Sequence, residues 1–135
     1  MSGRTFVDTN IFVYTIDDAD PAKKRTARTL LIETADIVVS AQVLSEFYVT
    51  ITRKLQPAVA SDMAGELVRR LARFPCVAID AELVQRAIDA GQRWQLSHWD
   101  ALVIEAARQA GCSRVLTEDL STGAIYDGLT IENPF

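Results

Sequence analysis

Short apolar runs alternate with helical segments along all 135 residues, and this alternation constrains the fold more than any other feature. The runs are rich in β-branched residues and bounded by polar ones, which is typical of strands buried in a parallel sheet. Right-handed crossover connections then place helices on both faces of that sheet. The sequence therefore predicts an α/β fold with a five-stranded parallel sheet, its strands at residues 5–7, 37–39, 77–79, 115–116 and 129–131.

The helical segments have recognisable ends. Asp20 is an N-cap residue followed by a proline, the residue favoured at the first helical position. Ser40, Asp80 and Ser97 are N-cap residue types as well, and Gly111 is typical of the left-handed residue that follows a helix. The predicted helices cover approximately residues 11–16, 22–34, 41–55, 58–73, 81–95 and 98–110.

The length predicts one domain, residues 1–135, with one hydrophobic core. No apolar run approaches the ~20 residues of a membrane span. The first residues lead into a strand and do not resemble a signal peptide, so we expect a cytoplasmic protein. Cys76 and Cys112 form no CxxC pair and are predicted to be buried free thiols.

The overall charge is acidic. A net charge of −4 and a pI of about 4.9 argue against broad, nonspecific affinity for nucleic acid. Basic residues cluster at residues 23–28 and 69–73, and we interpret both clusters as solvated helix faces. A function on nucleic acid would require bound divalent ions to offset the local negative charge.

Four carboxylates lie near the ends of predicted elements: Asp8, Glu46, Asp100 and Asp119. If the fold brings them together, their like charges repel and must be relieved by protons or by divalent cations. Oxygen ligands favour hard ions such as Mg²⁺ or Mn²⁺, and these ions support phosphoryl chemistry. The pattern predicts a metal-dependent phosphodiesterase.

Each carboxylate also has a structural interpretation. Asp8 is placed to be an N-cap or to form an Asx turn, and Glu46 to form a salt bridge on the flank of its helix. Asp100 lies three residues after Ser97, as in a capping box, and Asp119 is a loop aspartate. No single carboxylate decides between the two interpretations; their predicted common edge favours a site.

Other chemistries have little support in the sequence. His98 is the one histidine, so a zinc site or Ser-His catalysis is not indicated, and it is interpreted as a surface or substrate-edge residue. GxGxxG, GxxxxGK[ST] and GxSxG motifs are absent. Trp99 is predicted to lie on the core-facing stripe of its helix, together with Leu102 and Val103.

Five short motifs, taken in order, resemble those of PIN domains, and specifically of VapC-like toxin ribonucleases. They extend over nearly the whole chain, and the ordered set is far more specific than any one of them. The motifs are FVDTN at residues 6–10, SEF at 45–47, WDAL at 99–102, LTEDL at 116–120 and IENPF at 131–135.

The resemblance implies a three-layer α/β/α sandwich and a Mg²⁺- or Mn²⁺-dependent endoribonuclease. It implies metal-binding and catalytic roles for the four carboxylates, with Asn10 and Thr117 as supporting polar residues. It also implies that the protein is the toxin of a toxin–antitoxin pair, forms a homodimer and is blocked by an antitoxin protein. One departure is His98, where many relatives carry an aromatic or another apolar residue.

The expected reaction is in-line hydrolysis of an RNA phosphodiester by two ions roughly 3.5–4 Å apart. Asp8 and Asp100 are the expected principal ligands of one ion, and Glu46 or Asp119 partial ligands of the other. The first alternative is a PIN-like module that binds RNA or protein without cleavage. An aspartyl-nucleophile phosphatase is a weaker alternative, because Asn10 replaces the second aspartate of a DxDxT pattern. A phosphoacceptor module is disfavoured because residues 9–10 lack its acidic pair.

Overall fold

The computed structural model describes residues 3–135, which form a six-stranded sheet flanked by helices. The strand order is β3-β2-β1-β4-β6-β5, and all neighbours are parallel except β5 and β6. The strands are β1 (Arg4–Val7), β2 (Ile37–Ser40), β3 (Cys76–Val77), β4 (Cys112–Leu116), β5 (Ile125–Tyr126) and β6 (Leu129–Glu132).

Six helices connect these strands. Among the first four, α1 packs against α2 and α3, and α3 packs against α4. The last two pack against each other, and right-handed crossovers place them on the opposite face of the sheet. This arrangement confirms the predicted α/β/α class. The helices are α1 (Thr9–Tyr14), α2 (Pro21–Glu33), α3 (Ala41–Arg53), α4 (Ser61–Leu71), α5 (Ala81–Trp94) and α6 (His98–Gln109).

The direction of winding reverses between β1 and β4. From β1 the chain adds β2 and β3 on one side, then returns through α5 and α6 to place β4 on the other side of β1. Such a switch point leaves a crevice at the carboxyl ends of the two strands, where ligands of open α/β sheets bind. α3 runs antiparallel to β2, which it follows, and α6 runs antiparallel to β4, which it precedes. The amino-terminal ends of both helices therefore lie at the edge of the sheet where the strands have their carboxyl ends.

The predicted N-caps are confirmed. The side chains of Asp20, Ser40, Asp80 and Ser97 each accept a hydrogen bond from a backbone N–H three residues later. Gly111 has a φ of +73°, the left-handed conformation expected after a helix. These local signals fix the helix starts because each cap satisfies an otherwise unpaired N–H.

The strand count and the third strand differ from the prediction. A sixth strand, β5, pairs antiparallel with β6 at the edge of the sheet, so the sheet is neither five-stranded nor wholly parallel. It is two residues long and Ile125 is exposed, so it carries no periodic apolar pattern to detect. β3 covers Cys76–Val77 instead of residues 77–79, and α4 begins at Ser61 because Ala60 is extended.

Two predictions of burial are wrong. Cys76 is exposed and Cys112 is partly exposed, although both are free thiols as expected. Trp99 is 64% exposed, because it lies in the first turn of α6, before that helix passes beneath the sheet. Within residues 3–135, no helix is both long and apolar enough to cross a bilayer.

Candidate active site

Asp8 lies directly after β1, at the switch point, and is only 5% exposed. Its Oδ1 accepts a hydrogen bond from the backbone N–H of Thr9 (2.8 Å) and thereby caps α1. Its Oδ2 accepts a hydrogen bond from the hydroxyl of Thr117 (2.9 Å), which follows β4. Asp8 is therefore the N-cap of α1, as one interpretation of the sequence predicted, and its second carboxylate oxygen faces the end of β4.

Thr117 connects Asp8 to the other polar residues at this edge. Its Oγ1 accepts hydrogen bonds from Nδ2 of Asn10 (3.3 Å) and from the backbone N–H of Asp119 (3.1 Å). The same Asn10 amide donates to Oδ2 of Asp119 (3.1 Å). Asn10 and Thr117, the two predicted supporting residues, thus join the carboxylates that follow β1 and β4.

Glu46 lies on α3 and joins this network through Thr9. Its Oε2 accepts a hydrogen bond from the hydroxyl of Thr9 (3.2 Å), and its Oε1 accepts one from Nε2 of Gln42 (2.8 Å). The Gln42 amide also donates to the backbone carbonyl of Trp99 (3.3 Å). Gln42 therefore ties α3 to the start of α6, next to Asp100.

Asp100 occupies the first turn of α6, where its backbone N–H donates to the hydroxyl of Ser97 (3.1 Å). Within residues 3–135, no reciprocal bond from the Ser97 N–H to the Asp100 carboxylate completes a capping box. The Asp100 charge contributes to raising the pKa of Asp119, so the two carboxylates face the same region. Capping leaves the Asp100 carboxylate free for another partner.

The electrostatics of this edge are unfavourable for anions. Burial raises the pKa of Asp8 to about 6, against the opposing effect of its hydrogen bonds from Thr9 and Thr117; the charges of Asp119 and Glu46 raise it further. Burial is also the main cause of the raised pKa of Asp119, followed by the charge of Asp100. Among the salt bridges of the described residues, none involves any of the four predicted carboxylates.

The donor set suits a hard divalent cation, because it consists of carboxylate, hydroxyl and amide oxygens without sulfur or imidazole. A buried carboxylate with a raised pKa and no cationic side chain is a group that a bound cation would stabilise. As placed, no three histidine, cysteine, aspartate or glutamate side chains among residues 3–135 converge on one ion position. The four-carboxylate ligand set therefore stays a prediction.

Two residues of the network were missed by the sequence analysis. Thr9 and Gln42 hold Glu46 from two sides, and neither belongs to a pattern that marks a ligand. Gln42 lies four residues before Glu46, the helical spacing at which side chains meet, and this was the available signal. Glu118, beside Asp119, does not join the network: it is paired with Lys23 (3.0 Å) and accepts a hydrogen bond from Tyr14.

Comparison with known proteins places this geometry in a family. The family model described as PIN domain matches residues 5–125, nearly the whole chain. No curated protein sequence matches the chain. Solved structures do, at identities low enough that the likeness concerns the fold alone.

Three of these structures are a toxin, a toxin–antitoxin complex and a VapBC complex with DNA. VapC20 of Mycobacterium tuberculosis, described as a sarcin–ricin loop cleaving toxin, is 20% identical with a TM-score of 0.64, over 82% of this chain and 86% of that one. A toxin–antitoxin complex from Klebsiella pneumoniae is 17% identical with a TM-score of 0.71, over 97% and 98% of the two chains. DNA-bound VapBC from Salmonella typhimurium is 17% identical with a TM-score of 0.67, over 100% of both chains.

The family match covers more than half of the chain, and the structural neighbours share its fold. The resemblance noted in the five motifs is confirmed at the level of the family, and the structural neighbours include VapC toxins. The chain belongs to the PIN domain family.

Proposed function

We propose that this protein is a Mg²⁺- or Mn²⁺-dependent endoribonuclease, a single PIN domain over residues 1–135 that acts as the toxin of a type II toxin–antitoxin pair. One observation carries the proposal: Asp8 is a buried carboxylate with a raised pKa beside other carboxylates, and no cationic side chain within residues 3–135 pairs with it. A fold stabilises such an arrangement poorly on its own, so a bound divalent cation is its natural complement.

The residues that would hold the cation are Asp8, Glu46, Asp100 and Asp119. A bound divalent ion supplies a nucleophile at neutral pH and stabilises charge on the phosphate. Thr117 fixes the rotamer of Asp8 through its hydroxyl, and Asn10 fixes Asp119. Within residues 3–135, the ring of His98, the one histidine, lies against Trp99 and is hydrogen-bonded to no serine or cysteine, so the protein would position the phosphodiester and leave no covalent intermediate on the chain.

The proposed biological setting follows from the same assignment. An RNA substrate and a toxin role place the protein in the cytoplasm, in complex with a cognate antitoxin that blocks the site. Homodimerisation is part of the proposal. An antitoxin partner is supported by two structures of this fold, the toxin–antitoxin complex from Klebsiella pneumoniae and DNA-bound VapBC from Salmonella typhimurium.

Cleavage of RNA by the purified protein tests the enzymatic part. We expect wild-type protein to cut a structured RNA with Mg²⁺ or Mn²⁺ and not with EDTA, and Asp8→Asn to lose activity by about 10²-fold or more, the scale of removing one catalytic electrostatic group. Glu105→Gln is a control in which a carboxylate outside the site is neutralised. If RNA binds but remains intact with either metal, a non-cleaving RNA-binding PIN module replaces this proposal.

The assignment of Asp100 has its own test. Isothermal titration of Mn²⁺ into Asp100→Asn should show weaker binding than in the wild-type protein. Ser97→Ala weakens the start of α6 without removing a carboxylate, so it separates a capping effect from ligation. Unchanged Mn²⁺ affinity in Asp100→Asn would return Asp100 to a role in the helix start.

A further inference from the structure

An apolar cavity of about 540 Å³ lies between the first turns of α3 and α6. Trp99 forms one wall and is 64% exposed, an unusual exposure for a tryptophan. Ile79 and Leu102 also line it. Because tryptophan is among the most hydrophobic side chains, an exposed indole that lines an apolar cavity is a candidate contact for a ligand.

The cavity is continuous with the candidate active site. Glu46 lines both this cavity and a neighbouring one of about 360 Å³ that contains Asn10, Asp119 and Lys54. Trp99 directly precedes Asp100, and Gln42 bonds both the Trp99 carbonyl and the Glu46 carboxylate. A molecule bound against Trp99 therefore lies beside the carboxylates.

The two cavities have different chemistry. The one that contains Lys54 is also lined by the carboxylates of Asp17, Glu46 and Asp119, so it would hold part of a phosphate backbone once divalent cations are bound to those carboxylates. Among the described residues, the lining of the Trp99 cavity includes no lysine or arginine, and its charged group is the carboxylate of Glu46. This mostly apolar lining offers a phosphate no cationic partner, whereas a flat, neutral aromatic ring can stack on the indole.

We propose that the Trp99 cavity is a base-binding subsite, in which one nucleobase of the RNA strand stacks on Trp99 next to the scissile phosphate. This inference rests on the proposed ribonuclease function and adds the residue that orients the strand. Because the two cavities share Glu46, a strand whose phosphate lies at the carboxylates would place a neighbouring base within reach of the Trp99 cavity.

Fluorescence of single-tryptophan variants tests the contact itself. The chain has two tryptophans, Trp94 and Trp99, so Trp94→Phe leaves Trp99 as the reporter and Trp99→Phe leaves Trp94 as the matched control. Trp94 packs against Tyr126, away from the cavity. Both variants keep Asp8 and are titrated in Mg²⁺ with a short single-stranded RNA of mixed sequence, made resistant to cleavage by phosphorothioate linkages, and with an abasic oligomer of the same length and linkages.

We expect the RNA to quench Trp99 emission and the abasic oligomer to leave it unchanged, with no quenching of Trp94. Equal quenching by both oligomers, or no quenching, overturns the subsite. Trp99 emission that responds to protein concentration and not to RNA assigns the cavity to a second copy of the chain and also overturns it. The same holds if RNA leaves Trp99 unaffected while a partner protein quenches it.

Steady-state cleavage separates this inference from the proposed function. Trp99→Leu keeps an apolar side chain and removes the stacking face, so KM should rise by about tenfold, within the range measured for single base–aromatic stacks. kcat should change little, because the stack is present in both the ground and the transition state. Trp99→Tyr should restore most of the wild-type KM.

If wild-type protein cleaves RNA and Trp99→Leu has an unchanged KM, the subsite is wrong and the ribonuclease function stands. If wild-type protein binds RNA with base-dependent quenching of Trp99 but does not cleave it, the function is wrong and the base contact stands. Circular dichroism of Trp99→Leu should match the wild type, since the replaced ring is mostly solvent-exposed.

Discussion

Two acidic clusters in this molecule are treated differently by the fold. On the α5–α6 face, Glu105 is 6% exposed and pairs with Arg108 (2.9 Å), while Asp127 is approached by Arg108 (3.5 Å) and by Arg93 (3.3 Å). Both of these carboxylates therefore have an arginine partner. At the β1–β4 edge, Asp8 is equally buried and its partners are neutral donors.

The difference separates structural acids from candidate functional ones. A buried carboxylate costs several kcal/mol of desolvation unless a counter-charge or hydrogen bonds offset it. On the α5–α6 face the arginines supply that counter-charge, so the carboxylates there need no bound cation. The β1–β4 edge has hydrogen bonds but no counter-charge. The desolvation of Asp8 is therefore only partly offset, and its pKa is raised.

Neutralising one acid in each cluster should change stability in opposite directions. In EDTA at pH 7, Asp8→Asn should raise the free energy of unfolding by up to about 3 kcal/mol, since a pKa raised to about 6 is a destabilisation of the charged form. Glu105→Gln should lower it by about 2 kcal/mol, because it breaks a partly buried ion pair with Arg108. Urea unfolding measures both.

The variants are matched, as each replaces a carboxylate by its amide at a nearly buried position. A loss of stability in Asp8→Asn comparable to that in Glu105→Gln would mean that the hydrogen bonds of Asp8 outweigh its charge. The contrast between the clusters would then disappear.

Divalent metal should stabilise one cluster and not the other. At a Mg²⁺ concentration of 100 times the Kd, binding to the native state adds about 2.7 kcal/mol to the free energy of unfolding. We expect this gain in the wild type and in Glu105→Gln, and a much smaller one in Asp8→Asn. Thermal unfolding with Mg²⁺ and with EDTA measures it; an equal gain in all three proteins would place the ion elsewhere.

The Thr117 hydroxyl is hydrogen-bonded to Asp8, where Glu105 on the other face has the charged side chain of Arg108. It donates to Asp8 and accepts from Asn10 and from the Asp119 N–H, at a residue with no exposed surface. Thr117→Val should lower the free energy of unfolding by about 2 kcal/mol, because it leaves buried polar groups unpaired. Thr117→Ser keeps the hydroxyl and is the control; if both variants lose the same stability, packing of the methyl group explains the loss.

The sequence predicted most of the fold because its local signals agree with one another. Ser40, Asp80 and Ser97 each cap a helix at the expected position, and the apolar runs at β1, β2, β4 and β6 are buried as expected. The edge strand β5 was not predictable, because its two residues, Ile125 exposed and Tyr126 partly buried, are too few to show a periodicity. Its position depends on pairing with β6, a nonlocal contact.

The candidate site was predictable in its residue types and less so in its connections. Asp8 and Asp119 follow neighbouring strands, so their common edge follows from the topology. Gln42 and Thr9 are invisible to such reasoning, since their role depends on side chains that meet across separate elements. Trp99 was assigned to the core because a helical stripe does not reveal where a helix leaves the sheet.

The smallest expected difference between the clusters is in their response to pH. Burial first, and then the neighbouring carboxylates, raise the pKa of Asp8 to about 6 in the folded protein, above its ordinary value of 3.8, so the native state binds more protons than the unfolded state between these values. The free energy of unfolding of the metal-free protein should therefore rise by about 1 kcal/mol, from this group alone, as the pH falls from 7 to 5. Asp8→Asn should lose this increment, and Glu105→Gln should keep it. Urea unfolding in EDTA at the two pH values measures the difference between wild type and each variant; an identical pH response in wild type and Asp8→Asn would mean that the raised pKa belongs to another group.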